Sequence, residues 1–275
     1  MKKEINEEYF IHNGIVMKKN SKKISLDKVN NVIYEVIRVI EGVPLFLEEH
    51  IARLSKSADL LNYNIEDILE TIKLDTKKTI MLNENPELNL KILLYNIENP
   101  IPDYYIFFID SNYPKEELYN TGIKTVTFKA TRDNPNAKII NNEFRKNVNE
   151  SIEKNNAYEA LLLNDNDEIT EGSRSNVFFV KNDTVYTPPG SKVLLGTTRN
   201  KIIKICNDLN IRVCEEPVNV SFINNCDALF ITGTSPKVLP ISQVDDKIYG
   251  SPDNKIVLKI MESYNNLIED YIASH

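Results

Sequence analysis

The stretch Thr170-Glu171-Gly172-Ser173-Arg174-Ser175-Asn176-Val177-Phe178 does most to decide the fold of this chain. Apolar runs lie on both sides of it, at residues 161–163 and 177–180, and each run is typical of a buried strand. Gly172 and the small polar residues after it are typical of a turn. The pattern therefore predicts two neighbouring strands, with Glu171 at the beginning of the turn that joins them.

Short strands and helices alternate outward from this stretch. Alternating and β-branched runs predict strands at residues 9–17, 32–39, 90–97, 104–109, 159–163, 176–180, 185–187, 228–232 and 238–244. Apolar residues at helical spacing predict helices at residues 47–61, 65–81, 144–154, 198–209 and 255–271. The fold class that we expect is therefore α+β, or mixed α/β.

The 275 residues are enough for two ordinary domains. Residues 113–122 are polar and are bounded by proline and glycine, so we predict an interdomain linker there. An N-terminal α/β domain then covers residues 1–112, and a C-terminal α/β domain covers residues 123–275. Because ligand sites are frequent where domains meet, we expect the site in the cleft between the two.

The composition excludes several classes of function. A net charge of −7 argues against a broad surface for nucleic acid or anionic membrane, and the apolar runs are too short to span a membrane. Three cysteines without Cys-x-x-Cys spacing favour buried thiols in a reducing, cytoplasmic setting. Because the chain has three histidines and no glycine-rich phosphate loop, we expect no metal site and no common nucleotide fold.

Four features supply what pyridoxal phosphate needs from a protein. Lys138 offers an amine for a Schiff base, and Glu171 offers a carboxylate for the pyridine nitrogen. The stretch Leu195-Gly196-Thr197-Thr198-Arg199 opens a predicted helix whose N-terminus suits a phosphate, and Arg53 suits the same phosphate. Each feature alone also fits an ordinary role: a surface lysine, a turn glutamate, a helix cap or a surface arginine. Their order and spacing favour the cofactor.

Two further pairs of residues are candidates for ligand contacts. Thr234 and Ser235 follow a predicted strand, where hydroxyl groups suit a phosphate or a carboxylate but also fit a simple turn. Tyr34 and Arg38 share one face of the predicted strand at residues 32–39. If that face lines the site, both side chains can meet a substrate carboxylate; if not, Tyr34 belongs to the core and Arg38 pairs with an acid.

The chain resembles the class IV aminotransferases, the fold-type IV group of pyridoxal-phosphate enzymes. That group contains branched-chain aminotransferases, D-amino-acid transaminases and aminodeoxychorismate lyases. The matching stretches run in family order, at residues 34–39, 46–54, 138, 158–160, 170–178, 195–199 and 232–235. They extend over nearly the whole chain, and Glu-Gly-Ser-x-x-Asn followed by Gly-x-Thr-Arg is their most specific part.

The resemblance implies a two-domain, D-amino-acid-transaminase-like fold and a homodimer. The residues that it assigns to the cofactor are Lys138 for the Schiff base, Glu171 for the ring nitrogen, and Arg53, Thr197, Thr198 and Thr234 for the phosphate. It also implies that Lys138 carries a proton between the substrate Cα and the cofactor as general acid and base.

This chain departs from the family pattern in two places. Val29-Asn30-Asn31 replaces the Gly-Asp-Gly that usually precedes the strand with Tyr34. Residues 91–98 lack the arginine with which D-amino-acid transaminases hold the substrate carboxylate, whereas Thr234-Ser235 resembles the β-turn that holds it in branched-chain enzymes. The resemblance therefore implies an aminotransferase for a small amino acid, with branched-chain L-amino acids as donors and a 2-oxo acid such as 2-oxoglutarate as partner.

Two alternatives stay open. A lyase of the aminodeoxychorismate type uses the same residues but eliminates pyruvate. A pyridoxal-phosphate-binding protein without turnover keeps the same scaffold, although the presence of both Lys138 and Glu171 argues against it.

Overall fold

A computed structural model describes residues 4–20, 32–131 and 135–275 of the chain. The chain divides into two units. Unit 1 comprises Met1–Asn112, Ala137–Ile140 and Ile268–His275, and unit 2 comprises Tyr113–Asn136 and Asn141–Leu267. Within the described ranges, none of the helices combines the length and the apolar character that a membrane span requires.

Unit 1 is built around an antiparallel sheet of six strands. Its elements are β1 (Tyr9–His12), β2 (Ile15–Lys18), β3 (Ile33–Ile40), β4 (Val43–Pro44), α1 (Leu47–Asp59), α2 (Glu66–Leu82), β5 (Asn89–Tyr95) and β6 (Asp103–Ile109). The strand order is β2-β1-β6-β5-β3-β4, so β3 and β5 lie side by side near one edge. The two helices pack their apolar stripes against one face of this sheet.

Alternation along β3 separates the two faces of the sheet. Ile33 and Ile37 are fully buried in the core that the sheet forms with α1 and α2. Tyr34 and Val36 point to the opposite face and are half-buried. Glu35 shares the face of Ile33 and Ile37, so this carboxylate lies in an otherwise apolar row toward the helices.

Unit 2 is built around a larger, mixed sheet of ten strands. Its elements are α3 (Glu116–Thr121), β7 (Ile123–Lys129), α4 (Asn142–Lys154), β8 (Glu159–Leu163), β9 (Glu168–Gly172), β10 (Asn176–Lys181), β11 (Thr184–Thr187), α5 (Thr197–Asp208), β12 (Val213–Glu215), β13 (Val218–Asn219), β14 (Ala228–Gly233), β15 (Lys237–Val244), β16 (Lys247–Ile248) and most of α6 (Lys255–Ala273). The strand order is β12-β11-β10-β14-β15-β7-β8-β9-β13, with β16 paired to β15. Helix α5 packs beside β14, and helix α4 packs against β7 and β8.

The fold class expected from the sequence, α+β, is confirmed, and the five predicted helices are present as α1, α2, α4, α5 and α6. Residues 113–122, which the sequence predicts as a linker, contain the short helix α3 and group with unit 2. Segments 137–140 and 268–275 group with unit 1. Whether residues 1–112 and 123–275 fold as separate domains stays a prediction. Val29-Asn30-Asn31, which replaces the usual Gly-Asp-Gly of the family pattern, lies outside the described residues.

The position of Glu171 differs from the prediction. Instead of beginning a turn, Glu171 lies inside strand β9, which pairs antiparallel with β8, and the turn follows at residues 173–175. The sequence does not predict this strand, because its five residues include two glutamates, a threonine and a glycine. Burial nevertheless alternates along β9, and Glu171 falls in the buried phase together with Ile169.

Candidate active site

Lys138 lies in a short segment that pairs with β3 in unit 1. The amide N–H of Tyr34 donates to the carbonyl oxygen of Lys138 over 3.1 Å, and the N–H of Ile140 donates to Val32 over 3.1 Å. An antiparallel bridge joins Ile33 and Ile139 between these two bonds. The half-buried Lys138 side chain folds back, so that Nζ lies 4.9 Å from the centroid of the Tyr34 ring. Two strand-like hydrogen bonds therefore fix the backbone from which this amine projects.

Arg53 and His50 of helix α1 meet the buried carboxylate of Glu35. Arg53 donates from Nε to Glu35 Oε1 over 2.8 Å and from Nη2 to Oε2 over 2.6 Å, a bidentate pair. His50 Nδ1 lies 2.8 Å from the same Oε2. Because His50 and Arg53 are three residues apart on a helix, one carboxylate on the adjacent strand reaches both. Glu35 thus fixes the orientation of the guanidinium and of the imidazole.

The charges of this cluster follow from its burial. Burial raises the pKa of the Glu35 carboxyl, but the charge of Arg53 and the hydrogen bonds from Arg53 and His50 outweigh it and hold that pKa far below its ordinary value. Burial lowers the pKa of His50, and the charges of Arg53 and Lys138 lower it further against the opposing effect of Glu35. Glu35 is therefore ionised, and His50 is neutral at neutral pH and donates its Nδ1–H to Glu35.

In unit 2, Glu171 is tied to the segment that precedes helix α5. The backbone N–H of Leu194 donates to Glu171 Oε2 over 3.1 Å. Asn176 Nδ2 donates to the carbonyl oxygen of the same Leu194 over 2.8 Å. Both peptide groups of one residue are thus bound by side chains from the motif that the sequence singles out, and the carboxylate is linked to the start of the helix.

Helix α5 begins at Thr197 without a capping side chain, because its N-cap residue is Gly196. The first N–H groups of a helix have no acceptor within the helix, and the helix dipole makes this end favourable for an anion. A Cβ on Gly196 would lie 2.2 Å from Asn176 Oδ1, so the close approach of Asn176 requires glycine. On the neighbouring strand β14, the hydroxyl of Thr232 is one of the few buried side-chain polar groups of the described residues that lack a hydrogen-bond partner.

The turn after Glu171 is organised by a second buried glutamate. Glu159 accepts hydrogen bonds from the backbone N–H groups of Ala160, Ser173 and Arg174 at 2.8 to 3.2 Å. It also accepts hydrogen bonds from the hydroxyl groups of Ser173, over 2.6 Å, and of Ser175, over 3.1 Å. This carboxylate therefore closes the turn of the Glu-Gly-Ser-Arg-Ser-Asn motif from inside, much as an anion is held in a ring of N–H donors.

The structure gathers the predicted residues in two groups. Unit 1 brings Lys138, Tyr34 and Arg53 together, with Arg38 farther along β3 on the face of Tyr34. Unit 2 holds the others, of which Glu171 bonds to Leu194 just before Thr197 and Thr198, while Thr234 and Ser235 form the half-buried turn between β14 and β15.

Sequence reasoning missed several residues of these groups. Glu35 carried a signal, since period-two alternation places it on the buried face of β3 between isoleucines. Ser57 carried a similar signal, because it follows Arg53 by four residues and therefore shares its helix face. Leu194 carried none, because it acts through its backbone alone.

Comparison with known proteins gives one consistent result. The model of the family described as amino-transferase class IV matches residues 32–244. A D-alanine aminotransferase of Staphylococcus aureus is 30% identical over 263 residues, which cover 88% of this chain and 89% of that protein. A putative branched-chain-amino-acid aminotransferase of Methanocaldococcus jannaschii is 29% identical over 263 residues, which cover 86% of each.

The fold itself is found in solved structures of such enzymes. The branched-chain amino acid aminotransferase from Thermobaculum terrenum, solved in its PLP-form, superposes with a TM-score of 0.84 over 97% of this chain and 95% of that one. The sequence identity is 20%, so this likeness concerns the fold alone.

Proposed function

The chain belongs to the class IV aminotransferase family, and we propose that it moves an amino group from a branched-chain L-amino acid to 2-oxoglutarate. The family match and the relatives named as aminotransferases make the protein a pyridoxal-phosphate-dependent enzyme of the transaminase class. The donor, the acceptor and the roles of single residues are our proposal.

The placement of Lys138 is the observation that carries the proposed cofactor chemistry. A lysine that bears a cofactor needs a fixed backbone and a partly desolvated amine. Lys138 suits both needs, because Tyr34 binds its carbonyl oxygen, the residue is half-buried and its amine lies over the Tyr34 ring. We assign the cofactor to Lys138 Nζ, and the same amine would act as general acid and base toward the proton at the substrate Cα.

The remaining residues fit the other parts of the cofactor. Bound pyridoxal phosphate supplies an electron sink that stabilises negative charge at the substrate Cα. Glu171, held by the Leu194 N–H, would pair with the ring nitrogen and keep its proton in place. The uncapped start of α5 at Thr197 and Thr198, together with the Thr232 hydroxyl nearby on β14, suits a phosphate.

Arg53 would also contribute to the phosphate, and its geometry limits how. Glu35 accepts from Nε–H and from one N–H of Nη2, so a phosphate contact that preserves this pair would use N–H groups of the guanidinium other than these two. We assign Thr234 to the phosphate as well. Ser235, Tyr34 and Arg38 are proposed to contact the substrate. The pair with Glu35 would hold the guanidinium in place before the cofactor arrives, which lowers the entropic cost of binding.

The choice of branched-chain L-amino acids rests on two sequence observations. Residues 91–98 lack an arginine for the substrate carboxylate, and Thr234-Ser235 occupies a β-turn whose N–H groups suit that carboxylate. The relative in Methanocaldococcus jannaschii supports the same choice. A D-amino-acid donor is the second candidate, because the relatives in Staphylococcus aureus and Bacillus licheniformis are D-alanine aminotransferases.

A single-turnover donor panel separates these candidates. L-valine, L-leucine, L-isoleucine and D-alanine are each mixed with the cofactor-loaded protein, and the change in cofactor absorbance is followed. We expect the three L-amino acids to react fastest and 2-oxoglutarate to restore the starting spectrum. A faster reaction with D-alanine would replace the proposed donor, and a reaction that releases pyruvate would indicate the lyase. No reaction with any donor, together with bound cofactor, would remove the proposed activity.

We further propose a cytoplasmic homodimer. The family resemblance supports the dimer. Burial raises the pKa of the Cys206 thiol to about 12, which suits an inert, reduced cysteine of a cytoplasmic protein. Light scattering of the purified protein at several concentrations tests the dimer, and a constant mass of one chain would contradict it.

A further inference from the structure

The hydroxyl of Ser57 joins two groups that the proposed function assigns to the cofactor. Ser57 lies on helix α1, four residues after Arg53, and its side chain is fully buried. Its Oγ donates to the carbonyl oxygen of Arg53 over 2.9 Å. The backbone N–H of Lys138 in turn donates to Ser57 Oγ over a longer 3.4 Å. One small side chain therefore connects the helix of Arg53 to the segment of Lys138.

The order of these bonds decides which way the serine acts. A hydroxyl has one proton and two lone pairs. Because the proton of Ser57 is directed to Arg53, the oxygen offers a lone pair to the N–H of Lys138. The carbonyl oxygen of Lys138 accepts from Tyr34 on the other side. The peptide groups on both sides of the Lys138 Cα are thus bound, one to β3 and one to α1.

We propose that Ser57 is a positioning residue for Lys138. It sets the distance and the direction from which the amine reaches the cofactor, relative to the arginine on the same helix. A reaction becomes slower when a reacting group is misplaced, even if the chemical nature of that group is unchanged. The inference rests on the proposed function, because it concerns the reaction only if Lys138 carries the cofactor.

Helix α2 offers a matched control. Thr76 is fully buried in unit 1, and its Oγ1 donates to the carbonyl oxygen of Ile72, four residues earlier, over 2.8 Å. This is the same local bond that Ser57 makes to Arg53, but it lies on a different helix, and of the two hydroxyl groups it is that of Ser57 that also accepts from the N–H of Lys138. Thr76→Val and Ser57→Ala each remove one buried hydroxyl from a helix, so a purely structural cost appears in both variants.

Two measurements on these variants test the proposal. The first is hydrogen exchange of the segment 137–140 in the full-length apoprotein, which needs no cofactor. The second is kcat and the cofactor dissociation constant of the loaded enzyme with its best donor. For Ser57→Ala we expect faster exchange in segment 137–140 and a fall in kcat of about 2- to 10-fold, the range for loss of one buried hydrogen bond. The cofactor dissociation constant should stay within about 2-fold, and Thr76→Val should change neither exchange nor kcat.

Both changes are required. Unchanged exchange in segment 137–140, or an unchanged kcat, overturns the positioning role, as does an equal effect in Thr76→Val. A failure of the proposed function gives a different pattern: borohydride then fixes the cofactor to a lysine other than Lys138, whatever the exchange of segment 137–140 shows.

Discussion

The backbone N–H of Leu194 donates to Glu171 Oε2 over 3.1 Å, so the carboxylate proposed for the ring nitrogen is anchored to the segment that opens helix α5. One bond of Glu171 is therefore structural and independent of its charge, since a neutral amide oxygen accepts it equally well. A substitution that keeps the oxygen but removes the charge therefore separates the structural role of Glu171 from its proposed electrostatic role.

Glu171→Gln should keep the bound cofactor and lose the reaction. The amide retains an oxygen for Leu194 but carries no negative charge to hold a proton on the ring nitrogen. We expect turnover to fall by roughly 10²-fold or more, the scale on which loss of one preorganised electrostatic group acts. The turnover of Glu171→Asp should lie between those of the parent and of Glu171→Gln, because aspartate keeps the negative charge but has a shorter side chain.

The control is Glu168→Gln, the same substitution on the same strand, where the carboxylate pairs with Lys192 over 2.8 Å. It should turn over at nearly the rate of the parent. A Glu171→Gln enzyme with parental turnover would show that Glu171 serves the turn and not the cofactor.

Removal of Arg53 should weaken the binding of the cofactor and should also destabilise the apoprotein, and the two effects have different causes. Arg53→Gln removes the proposed phosphate contact, for which we expect a loss of about 1.5–3 kcal/mol, and also leaves Glu35 buried without its cation. The double variant Arg53→Gln with Glu35→Gln removes both charges, so it should recover part of the free energy of unfolding but none of the cofactor affinity.

Titration of the apoprotein with pyridoxal phosphate gives the affinity, and urea unfolding gives the stability. Arg212→Gln, at an exposed position, is the control. An affinity that Arg53→Gln leaves unchanged would remove Arg53 from the phosphate site.

His50 should make the stability of the apoprotein depend on pH. Burial lowers its pKa below the ordinary 6.5, so the unfolded chain binds a proton that the folded chain does not. The stabilising contribution is present above pH 6.5 and is lost as the pH falls, by at most about 1.4 kcal/mol per pH unit. Glu35 adds its own dependence below its ordinary pKa of 4.5, so the window from pH 5 to 6.5 separates the effect of His50 from that of Glu35.

His50→Asn keeps an N–H donor for Glu35 and cannot titrate. Urea unfolding at several pH values in this window should show a smaller slope for the variant than for the parent. Equal slopes would mean that His50 does not titrate differently in the folded and unfolded states.

Gly196→Ala should disturb the start of helix α5 through Asn176. The new Cβ would lie 2.2 Å from Asn176 Oδ1, so the amide has to move and its bond to Leu194 is lost. We expect the free energy of unfolding to fall by about 1–3 kcal/mol and the affinity for the cofactor to decrease. Gly250→Ala, where a Cβ meets nothing within 4 Å, is the control. Gly196→Ala added to Asn176→Ala should cost much less than in the parent, and an additive result would contradict this contact.

The sequence predicts the helices well because their apolar stripes are long and periodic. Helix α1 illustrates this, since its buried residues recur at helical spacing from Leu47 to Ala58. Strand β9 is not predicted from the sequence, because its five residues, with Glu171 at a buried position, lack the apolar alternation that is typical of strands. Such a polar strand is specified by its neighbours in the sheet.

The chemical residues are visible in the sequence, but their supports are mostly not. Lys138 is a candidate from its spacing to Glu171, whereas its pairing with β3 joins positions about one hundred residues apart, as the bridge between Ile33 and Ile139 shows. Local periodicity carries no information on such a contact. Glu35 is the exception, because a charge in the buried phase of β3 demands a partner, and Arg53 supplies it.

Every other cofactor assignment depends on the attachment of pyridoxal phosphate to Lys138, and borohydride trapping shows which lysine carries it. The purified protein is loaded with pyridoxal phosphate, reduced, digested and mapped by mass spectrometry. We predict one labelled peptide, with the phosphopyridoxyl group on Lys138, and no stable label at that position in Lys138→Ala. A label fixed on a different lysine, or parental turnover by Lys138→Ala, would show that Lys138 does not carry the cofactor.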